Sequence, residues 1–303
     1  MNTPSLVAVL NPKSGSSGEE FRAEIEKSLT ERGADFKIVE TDPEEGAIPG
    51  VRDAIKDGAT HILACGGDGT IMSAVNGLAQ YDHEAKTTLC IIPGGTANLL
   101  AAALQIPNVV DEAVAIALSG RDRIIDLGQC GDDIFALGLG VGLTEKLVSG
   151  TTAEEKERLG RLAYAHAMLK ELGQKPHRFK FRLDDGKEQT AAGVALVIAN
   201  AGEISGRWKF APDAKMDDGV LDLCILHRFY VRDMLRWIWR GLLGNLADDR
   251  AISFYQAKKI EISSDPPLDM QIDGEEVDTK PPLSVKVLPK ALKVKVPLEG
   301  SGD

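Results

Sequence analysis

Two glycine-rich segments in the first third of the chain have the residue types that hold a nucleotide phosphate. Gly66 to Thr70 reads Gly-Gly-Asp-Gly-Thr and follows the apolar run His61 to Cys65. Pro93 to Asn98 reads Pro-Gly-Gly-Thr-Ala-Asn and follows the apolar run Thr88 to Ile92. Glycines let backbone N–H groups approach a triphosphate without a clash from Cβ. Because ligands of α/β folds bind at the carboxyl ends of parallel strands, two such turns predict a phosphate site.

Side chains inside these two glycine turns add groups that suit a bound nucleotide. Asp68 is a carboxylate that could face a Mg²⁺ ion on the phosphates, and Thr70 stands where a helix N-terminus donates to an anion. Thr96 and Asn98 offer polar groups to a phosphate or a ribose. A tight turn capped by Asp68 and Thr70 would need fewer glycines, so nucleotide binding is the favoured interpretation.

A third segment, Asn11 to Ser16, also lies between a predicted strand and a predicted helix. Its small residues can expose backbone N–H groups near a helix N-terminus, which is a natural phosphate site. The segment lacks the glycine spacing and the Lys-Ser/Thr pair of a Walker A loop. An ordinary strand-to-helix turn explains it equally well, and the spacing leaves both interpretations open.

Two acidic segments lie in the second half of the chain. Ala211 to Asp222 places several acids around a glycine turn, where carboxylate and carbonyl oxygens could hold a hard cation. Gln271 to Glu276 contains an Asp-Gly hairpin signal with carboxylates at a strand end, where a general base could stand. From spacing alone, a charged turn is the more common explanation for both segments.

Strand and helix patterns alternate through the residues that precede Ser119. The alternation predicts a mostly parallel sheet covered by helices on both faces. The predicted strands are Leu6 to Leu10, Phe36 to Val39, His61 to Cys65 and Thr88 to Ile92. The predicted helices are Phe21 to Arg32, Val51 to Lys56, Ile71 to Ala79 and Leu99 to Leu104.

Short strands dominate after Arg123, and several alternate apolar and polar residues. They predict an antiparallel β-sandwich interrupted by two helices, Ala153 to Leu172 and Val231 to Leu246. The change of pattern sets the predicted domains at residues 1–122 and 123–303. The predicted strands are Ile124 to Cys130, Ile134 to Leu139, Phe179 to Leu183, Val194 to Asn200, Val220 to Leu226, Lys258 to Ser263, Leu268 to Asp273, Ser284 to Leu288 and Leu292 to Val296.

Composition narrows the classes of protein to which the chain could belong. Its 303 residues favour two domains, and 43% hydrophobic with 27% charged residues indicates a globular chain. A net charge of −11 argues against nucleic acid as a partner. The four cysteines are widely spaced, which predicts reduced core residues and excludes a disulfide frame or zinc site. With no signal peptide or transmembrane run, the expected location is cytoplasmic.

The acidic balance also limits how the protein could meet a membrane. The sign of the charge argues against purely electrostatic attachment to anionic lipid, so lipid contact requires apolar side chains or a local basic patch. The segment His227 to Arg240 mixes basic residues with tryptophans, which suits a membrane interface. Half-buried packing is the more common use of such a helix.

Taken together, the five motifs resemble those of one family. NPKSG, GGDGT, PGGTANLLA, APDAKMDDGVLD and QIDGE occur in this order. The chain resembles the diacylglycerol kinase catalytic-domain family, which includes bacterial lipid kinases and, more distantly, sphingosine and ceramide kinases. The resemblance spans Leu6 to Pro297, and the last two motifs separate it from NAD kinases and phosphofructokinases, which share GGDGT. It implies an α/β N-terminal nucleotide-binding domain with an NAD-kinase-like parallel sheet, followed by an antiparallel β-sandwich.

The resemblance implies an ATP- and Mg²⁺-dependent lipid kinase with specific residues in its site. Asp68 would help to place the catalytic Mg²⁺, and either Asp273 or Glu275, with Glu275 favoured, would be the general base. A structural Mg²⁺ would be held by the Lys215 carbonyl, the Asp218 carboxylate and the Val220 carbonyl. The nucleotide would be surrounded by Asn11, Thr41, Gly66, Gly67, Asp68, Gly69, Thr70, Ile71, Met72, Gly94, Gly95, Thr96 and Asn98.

One position departs from the family pattern, and the acceptor stays open. Many relatives carry an acid after the asparagine of the third motif, whereas Asn98 is followed here by Leu99. The expected partner is a lipid such as diacylglycerol or phosphatidylglycerol at the inner membrane surface, contacted peripherally. The alternatives are a kinase of a soluble acceptor such as NAD and a non-catalytic protein that binds nucleotide or lipid. The sequence does not indicate an oligomeric state.

Overall fold

The computed structural model describes most of the chain and divides it into two units. One unit spans Met1–Leu127, Ile204–Trp208 and Leu288–Asp303, and the other spans Gly128–Glu203 and Lys209–Val287. The two predicted helices of the second half, and nearly all of the segment His227 to Arg240, lie outside the described residues. The described residues are 6–14, 18–142, 175–204, 208–209, 211, 214–227 and 251–298.

The first unit is a parallel sheet with helices, as predicted. Its strand order is β2-β1-β3-β4, with every neighbouring pair parallel. The strands are β1 (Leu6–Leu10), β2 (Phe36–Glu40), β3 (His61–Gly66) and β4 (Thr88–Pro93). The helices are α1 (Gly18–Glu31), α2 (Ile48–Lys56), α3 (Asp68–Tyr81), α4 (Leu99–Ala103) and α5 (Val110–Ser119).

Continuous apolar runs explain why this sheet is parallel and covered on both faces. Every residue of β1 and β4 is buried, whereas β2, at the edge of the sheet, is only partly covered. The helix α1 buries Phe21, Ile25 and Leu29, which recur every four residues and therefore lie along one side of the helix. Burial of this side fixes the orientation of α1 in the first unit.

The second unit is built from antiparallel strands that share one apolar core, which confirms the predicted sandwich. One sheet has the order β14-β13-β10-β7-β16-β17, and in the other the first half of β18 is followed by β15, β8 and β9 in that order. Phe181 and Val285 from the second sheet pack in the same cluster as Leu196 and Leu223 from the first. The strands from β5 onward are β5 (Arg121–Cys130), β6 (Asp133–Phe135), β7 (Gly138–Val141), β8 (His177–Leu183), β9 (Gln189–Gly193), β10 (Ala195–Ala199), β11 (Glu203–Ile204), β12 (Trp208–Lys209), β13 (Leu221–Leu226), β14 (Ile252–Ala257), β15 (Lys259–Asp265), β16 (Met270–Ile272), β17 (Glu275–Val277) and β18 (Leu283–Val296).

The strand predicted from Ile134 to Leu139 is two strands, β6 and β7. The chain turns between them because the backbone N–H groups of Ala136 and Leu137 donate to the carboxylate of Asp273, far away in sequence. The two last predicted strands are instead one, β18, whose irregular point at Lys290 has φ of 54°. There the Lys290 N–H donates to the Asp126 carboxylate at 2.7 Å. Tertiary hydrogen bonds therefore decide both differences.

Six described elements are absent from the sequence prediction, namely α5, β9, β11, β12, β14 and β17. The helix α5 has Asp111 and Glu112 in its first turn, which is a helix-start signal. The short strand β17 is only three residues long and two of them are exposed, so its sequence carries no alternation to detect. It forms because the Asp-Gly turn folds it back on β16.

All four cysteines are free and buried, which confirms the predicted core role. Burial raises the pKa of the Cys90 thiol to about 12 and that of Cys130 to about 11. Cysteine reacts as the thiolate, so these side chains behave as small apolar groups. Among the described residues, no helix is long and apolar enough to cross a membrane.

Candidate active site

The two glycine turns meet at the carboxyl edge of adjacent parallel strands. Gly66, at the end of β3, lies opposite Pro93, at the end of β4. The Gly94 N–H continues the ladder by donating to the Gly66 carbonyl at 2.8 Å. Asn11 joins the same edge from β1, because its N–H donates to the Cys65 carbonyl at 3.0 Å. The structure therefore brings the first three motifs together, as the parallel sheet predicts.

The carboxylate of Asp68 ties the second motif to the third. One oxygen, Oδ2, accepts the Asn98 N–H at 2.9 Å, and the other, Oδ1, accepts the Leu99 N–H at 2.6 Å. These amides belong to the first turn of α4, whose N–H groups have no partner within the helix. Asp68 is also the first residue of α3, where a negative charge is favourable. Its carboxylate holds the geometry of both turns, a role that its motif alone does not reveal.

Asn98 locks the third motif internally. It is 1% exposed and has a left-handed backbone with φ of 49°. Its Oδ1 accepts the Gly95 N–H at 3.0 Å, while its Nδ2 donates to the Gly95 carbonyl and to Oδ1 of Asn108. The predicted contact of Asn98 with a nucleotide stays a prediction, and in the structure its amide is occupied by the loop itself. Thr96, by contrast, is exposed.

Close packing between the turns explains two of the glycines. A Cβ on Gly95 would lie 2.7 Å from the Cα of Gly67, and one on Gly94 would lie 2.6 Å from the ring of Phe21. Side-chain carbon atoms do not approach backbone atoms this closely, so Gly95 cannot be replaced without moving a turn. The sequence analysis assigns these glycines to phosphate access. The structure adds a second reason, since only a residue without Cβ lets the turn at Gly95 pack against the turn at Gly67.

Asn11 contacts the second motif, whereas Thr41 contacts the end of β1. Asn11 Nδ2 donates to the hydroxyl of Thr70 at 3.2 Å, and its Oδ1 accepts the Lys13 N–H at 3.0 Å. The Thr41 N–H donates to the Leu10 carbonyl at 2.9 Å, which places Thr41 immediately after β2. Ile71 is fully buried in the core, so only its backbone can serve a ligand.

The loop that follows Thr41 is held by a residue that sequence reasoning missed. Asp42 and Gly46 exchange backbone hydrogen bonds, and N–H groups of Glu45 and Glu44 lower the pKa of Asp42. The Ser73 hydroxyl on α3 accepts the Ala47 N–H at 2.7 Å and donates to the Glu45 carbonyl at 3.3 Å. No spacing rule identifies Ser73, because its partners come from a distant loop.

Asp273 is enclosed by backbone amides in the second unit. Oδ1 accepts N–H groups of Leu137 and Gly138, and Oδ2 accepts that of Ala136, each at 2.8 Å. Asp273 and Gly274 have φ of 49° and 92° and form the two-residue loop between β16 and β17. This confirms the hairpin that the Asp-Gly pair predicts. Glu275 follows directly and is exposed.

The acidic turn of the fourth motif is described from residue 214 onward. Asp218 Oδ1 accepts the Val220 N–H at 3.2 Å, and Gly219 between them has φ of +77°. Lys215 and Asp218 are exposed, and one carboxylate with two carbonyls is a donor set of hard oxygens, which suits Mg²⁺. Within the described part of the chain, no group of three or more His, Cys, Asp or Glu side chains could hold a metal.

Comparison with known proteins gives two family matches that together span almost the whole chain. Residues 5–130 match the diacylglycerol kinase catalytic domain, and residues 141–296 match the YegS C-terminal NAD kinase beta sandwich-like domain. A protein of Chromohalobacter salexigens named "Probable lipid kinase YegS-like" is 34% identical, over 74% of this chain and 72% of its own. The diacylglycerol kinase of Bacillus subtilis is 32% identical, over 71% and 70% of the two chains.

Solved structures support the fold independently of close sequence similarity. A diacylglycerol kinase from Bacillus anthracis superposes with a TM-score of 0.80 at 23% identity, covering 98% of both chains. An NAD kinase from Archaeoglobus fulgidus, solved in complex with ATP, gives a TM-score of 0.50 at 14% identity over 96% of this chain and 93% of its own. At these identities the likeness establishes the fold and leaves the substrate open.

Proposed function

Because the chain belongs to the family of lipid kinases with a diacylglycerol kinase catalytic domain, we propose that it transfers the γ-phosphate of ATP to a hydroxyl of a membrane lipid. Diacylglycerol and phosphatidylglycerol are the acceptor lipids proposed. The acceptor would be reached at the inner membrane surface, by peripheral contact.

The observation that carries the proposal is the joining of the two glycine turns by Asp68. Its carboxylate accepts the amides of Asn98 and Leu99, so both turns stay fixed at the carboxyl edge of β3 and β4. Phosphoryl transfer depends mainly on positioning and on neutralising charge. A rigid edge rich in glycine and close to the start of α3 supplies backbone positions that a triphosphate can approach.

Glu275 is the proposed general base, and Asp273 the residue that presents it. A base must offer a free lone pair to the acceptor hydroxyl, whereas the Asp273 carboxylate is held by three amides. Taking up a proton would weaken those hydrogen bonds and the turn that they fix. Glu275 is exposed and stands two residues further on, where the hairpin begins to return. The structure thus supplies a reason to separate two acids that spacing leaves equivalent.

Two magnesium sites belong to the proposal. A catalytic Mg²⁺ would neutralise charge on the phosphates, and Asp68 would help to place it with the lone pairs that the two amides leave free. A structural Mg²⁺ would be held by the Lys215 carbonyl, the Asp218 carboxylate and the Val220 carbonyl. Since Asp218 already fixes the turn through the Val220 N–H, the ion would stiffen an existing turn.

The testing experiment follows labelled γ-phosphate from Mg-ATP to a panel of acceptors. Diacylglycerol, phosphatidylglycerol, sphingosine and ceramide are offered in mixed micelles, with NAD as a soluble acceptor and Asp68→Ala as the blank. Label on a lipid, absent with the variant, is the expected result. Label on NAD alone would replace the proposal with a soluble-acceptor kinase. ATP binding without any transfer would support a non-catalytic nucleotide-binding protein.

A further inference from the structure

The outer face of one sheet in the second unit concentrates basic side chains. On β8 the buried residues Phe179 and Phe181 point into the sandwich core, so Arg178, Lys180 and Arg182 all point outward. We call the outward-pointing residues of β8, β15 and the first half of β18 the basic sheet face. Its cationic residues are Arg178, Lys180, Arg182, Lys259 and Lys286.

The strand register brings these cations together. Lys259 on β15 lies directly opposite Lys286 on β18, both exposed. Like charges that face each other across a strand pair destabilise a sheet. Arg182 lies opposite Glu261, whose pKa is lowered chiefly by a hydrogen bond from Lys259. The Lys259–Lys286 pair therefore does not stabilise the fold, which suggests that these charges serve binding instead.

Carboxylates only partly balance this face. Glu261 lies near Arg182 at 3.4 Å and Lys259 at 2.7 Å, and Glu188 lies 3.8 Å from Lys180. Arg178 and Lys286 form no ion pair with a carboxylate among the described residues. With Asp265 opposite Arg178 included, the five cations exceed the three acids Glu188, Glu261 and Asp265 by two charges. The chain as a whole has a net charge of −11, so this positively charged face is opposite in sign to the rest of the protein.

A shallow depression lies within the basic sheet face. Its volume is about 380 Å³, and the apolar residues of its lining are Phe181, Ile262, Pro282 and Leu283. The polar side chains around it are Lys180, Arg182, Glu188, Glu261, Ser263 and Ser284. Ammonium, guanidinium and hydroxyl groups are the donors that bind phosphate esters. Glu188 and Glu261, however, offset the charges of Lys180 and Arg182 in this lining, so the excess positive charge of the basic sheet face lies outside the depression.

We propose that the basic sheet face docks the protein on an anionic bilayer surface. A lipid kinase must reach an acceptor that stays in the membrane, and an acidic chain needs a local basic patch to do so. The extended, nearly flat face of a sheet can present several cations to lipid phosphates at once. The inference extends the proposed function, but binding to a bilayer can be measured without ATP and without turnover.

The test is sedimentation of the full chain with vesicles of phosphatidylcholine, with and without phosphatidylglycerol. Each basic residue near an anionic surface contributes about 1 kcal/mol, which is roughly a fivefold change in partitioning. The triple variant Arg178→Gln, Lys180→Gln, Lys286→Gln should lose on the order of 100-fold in binding to the anionic vesicles. Glu188→Gln should increase binding by roughly fivefold, because it removes a repelling charge.

The control variant removes three exposed cations from the first unit. Lys27→Gln, Lys37→Gln, Lys56→Gln changes the net charge equally, and its residues each have a carboxylate within 4 Å, as Lys180 does. It should bind vesicles as the unmodified chain does. Equal loss in both triple variants would show a response to net charge alone, and no loss in either would remove the basic sheet face as the docking surface.

Kinase activity distinguishes a failure of this inference from a failure of the proposed function. With lipid dispersed in neutral detergent micelles, the triple variant of the basic sheet face should phosphorylate lipid at the normal rate. With lipid in anionic vesicles, its rate should fall with its binding. Loss of activity in neutral micelles as well would mean that these residues act in transfer itself and would overturn the docking role.

Discussion

Exchanging the two acids of the Asp-Gly-Glu hairpin for their amides should separate stability from chemistry. In Asp273→Asn the amide group would face the Ala136 N–H with a donor where an acceptor is needed. One charge-assisted hydrogen bond is lost and a buried donor is left without a partner, which costs about 2–3 kcal/mol. For a unit of this size, each kcal/mol lowers the melting temperature by roughly 2–4 °C.

The matched variant Glu275→Gln should have the opposite profile. Glu275 is exposed, so the substitution should change the free energy of unfolding by less than about 0.5 kcal/mol. Loss of a general base should lower kcat by roughly 10²–10⁴-fold. Asp273→Asn should keep a substantial part of the activity at a temperature where it remains folded.

The assay pairs calorimetric unfolding of each variant with phosphate transfer to the accepted lipid under saturating ATP. The two variants have the same change in charge and similar size, so each serves as control for the other. A stable Asp273→Asn protein without activity, beside an active Glu275→Gln protein, would refute the assignment and make Asp273 the base. Loss of both properties in both variants would refute the separation of roles.

Three further outcomes are expected from the described contacts. Asp68→Ala removes the carboxylate that joins the two turns through the Asn98 and Leu99 amides. It should lower kcat at least about 100-fold while the protein still melts cooperatively. Near-normal turnover would contradict the role of Asp68. Ser73→Ala removes the acceptor of the Ala47 N–H and should raise the KM for ATP more than it lowers kcat. Ser73→Thr keeps a hydroxyl and should restore the KM. An unchanged KM in Ser73→Ala would show that the loop from Asp42 to Ala47 does not contribute to nucleotide binding. A thiol reagent at mildly alkaline pH should label no cysteine of the native protein, because the pKa of Cys90 is about 12 and the others are also buried, and rapid labelling would show an accessible thiolate.

Local patterns were sufficient to predict the four parallel strands of the first unit and its site edge, although the helix α5 was missed. Runs such as Leu6–Leu10 are buried on both faces, and an unbroken apolar run of this kind predicts such burial. The glycine turns follow such runs, so their place at the carboxyl edge follows from the parallel sheet. The individual hydrogen bonds within this edge could not be predicted, because the amides that Asp68 binds belong to another turn.

The second unit was less predictable, because hydrogen bonds between residues distant in sequence set its strand limits. Its split between β6 and β7 depends on amides that bind Asp273, and its short strand β17 depends on a neighbour. Ser73 and Asn108 act through partners brought near by folding, so no spacing rule marks them. Sequence indicates which residues carry chemistry, whereas the hydrogen bonds that orient them form only in the folded chain.

The last strand ties the integrity of the first sheet to residues near the other end of the chain. Lys293 and Val294 of β18 run parallel to Thr88 and Leu89 of β4, whereas the first half of β18 pairs with β15. A fragment that stopped after residue 122 would leave β4 with an open row of backbone donors and acceptors beside wholly buried apolar residues. Such an edge invites pairing between molecules. Expression of residues 1–122 alone should therefore yield aggregates unless the β18 segment is supplied with it.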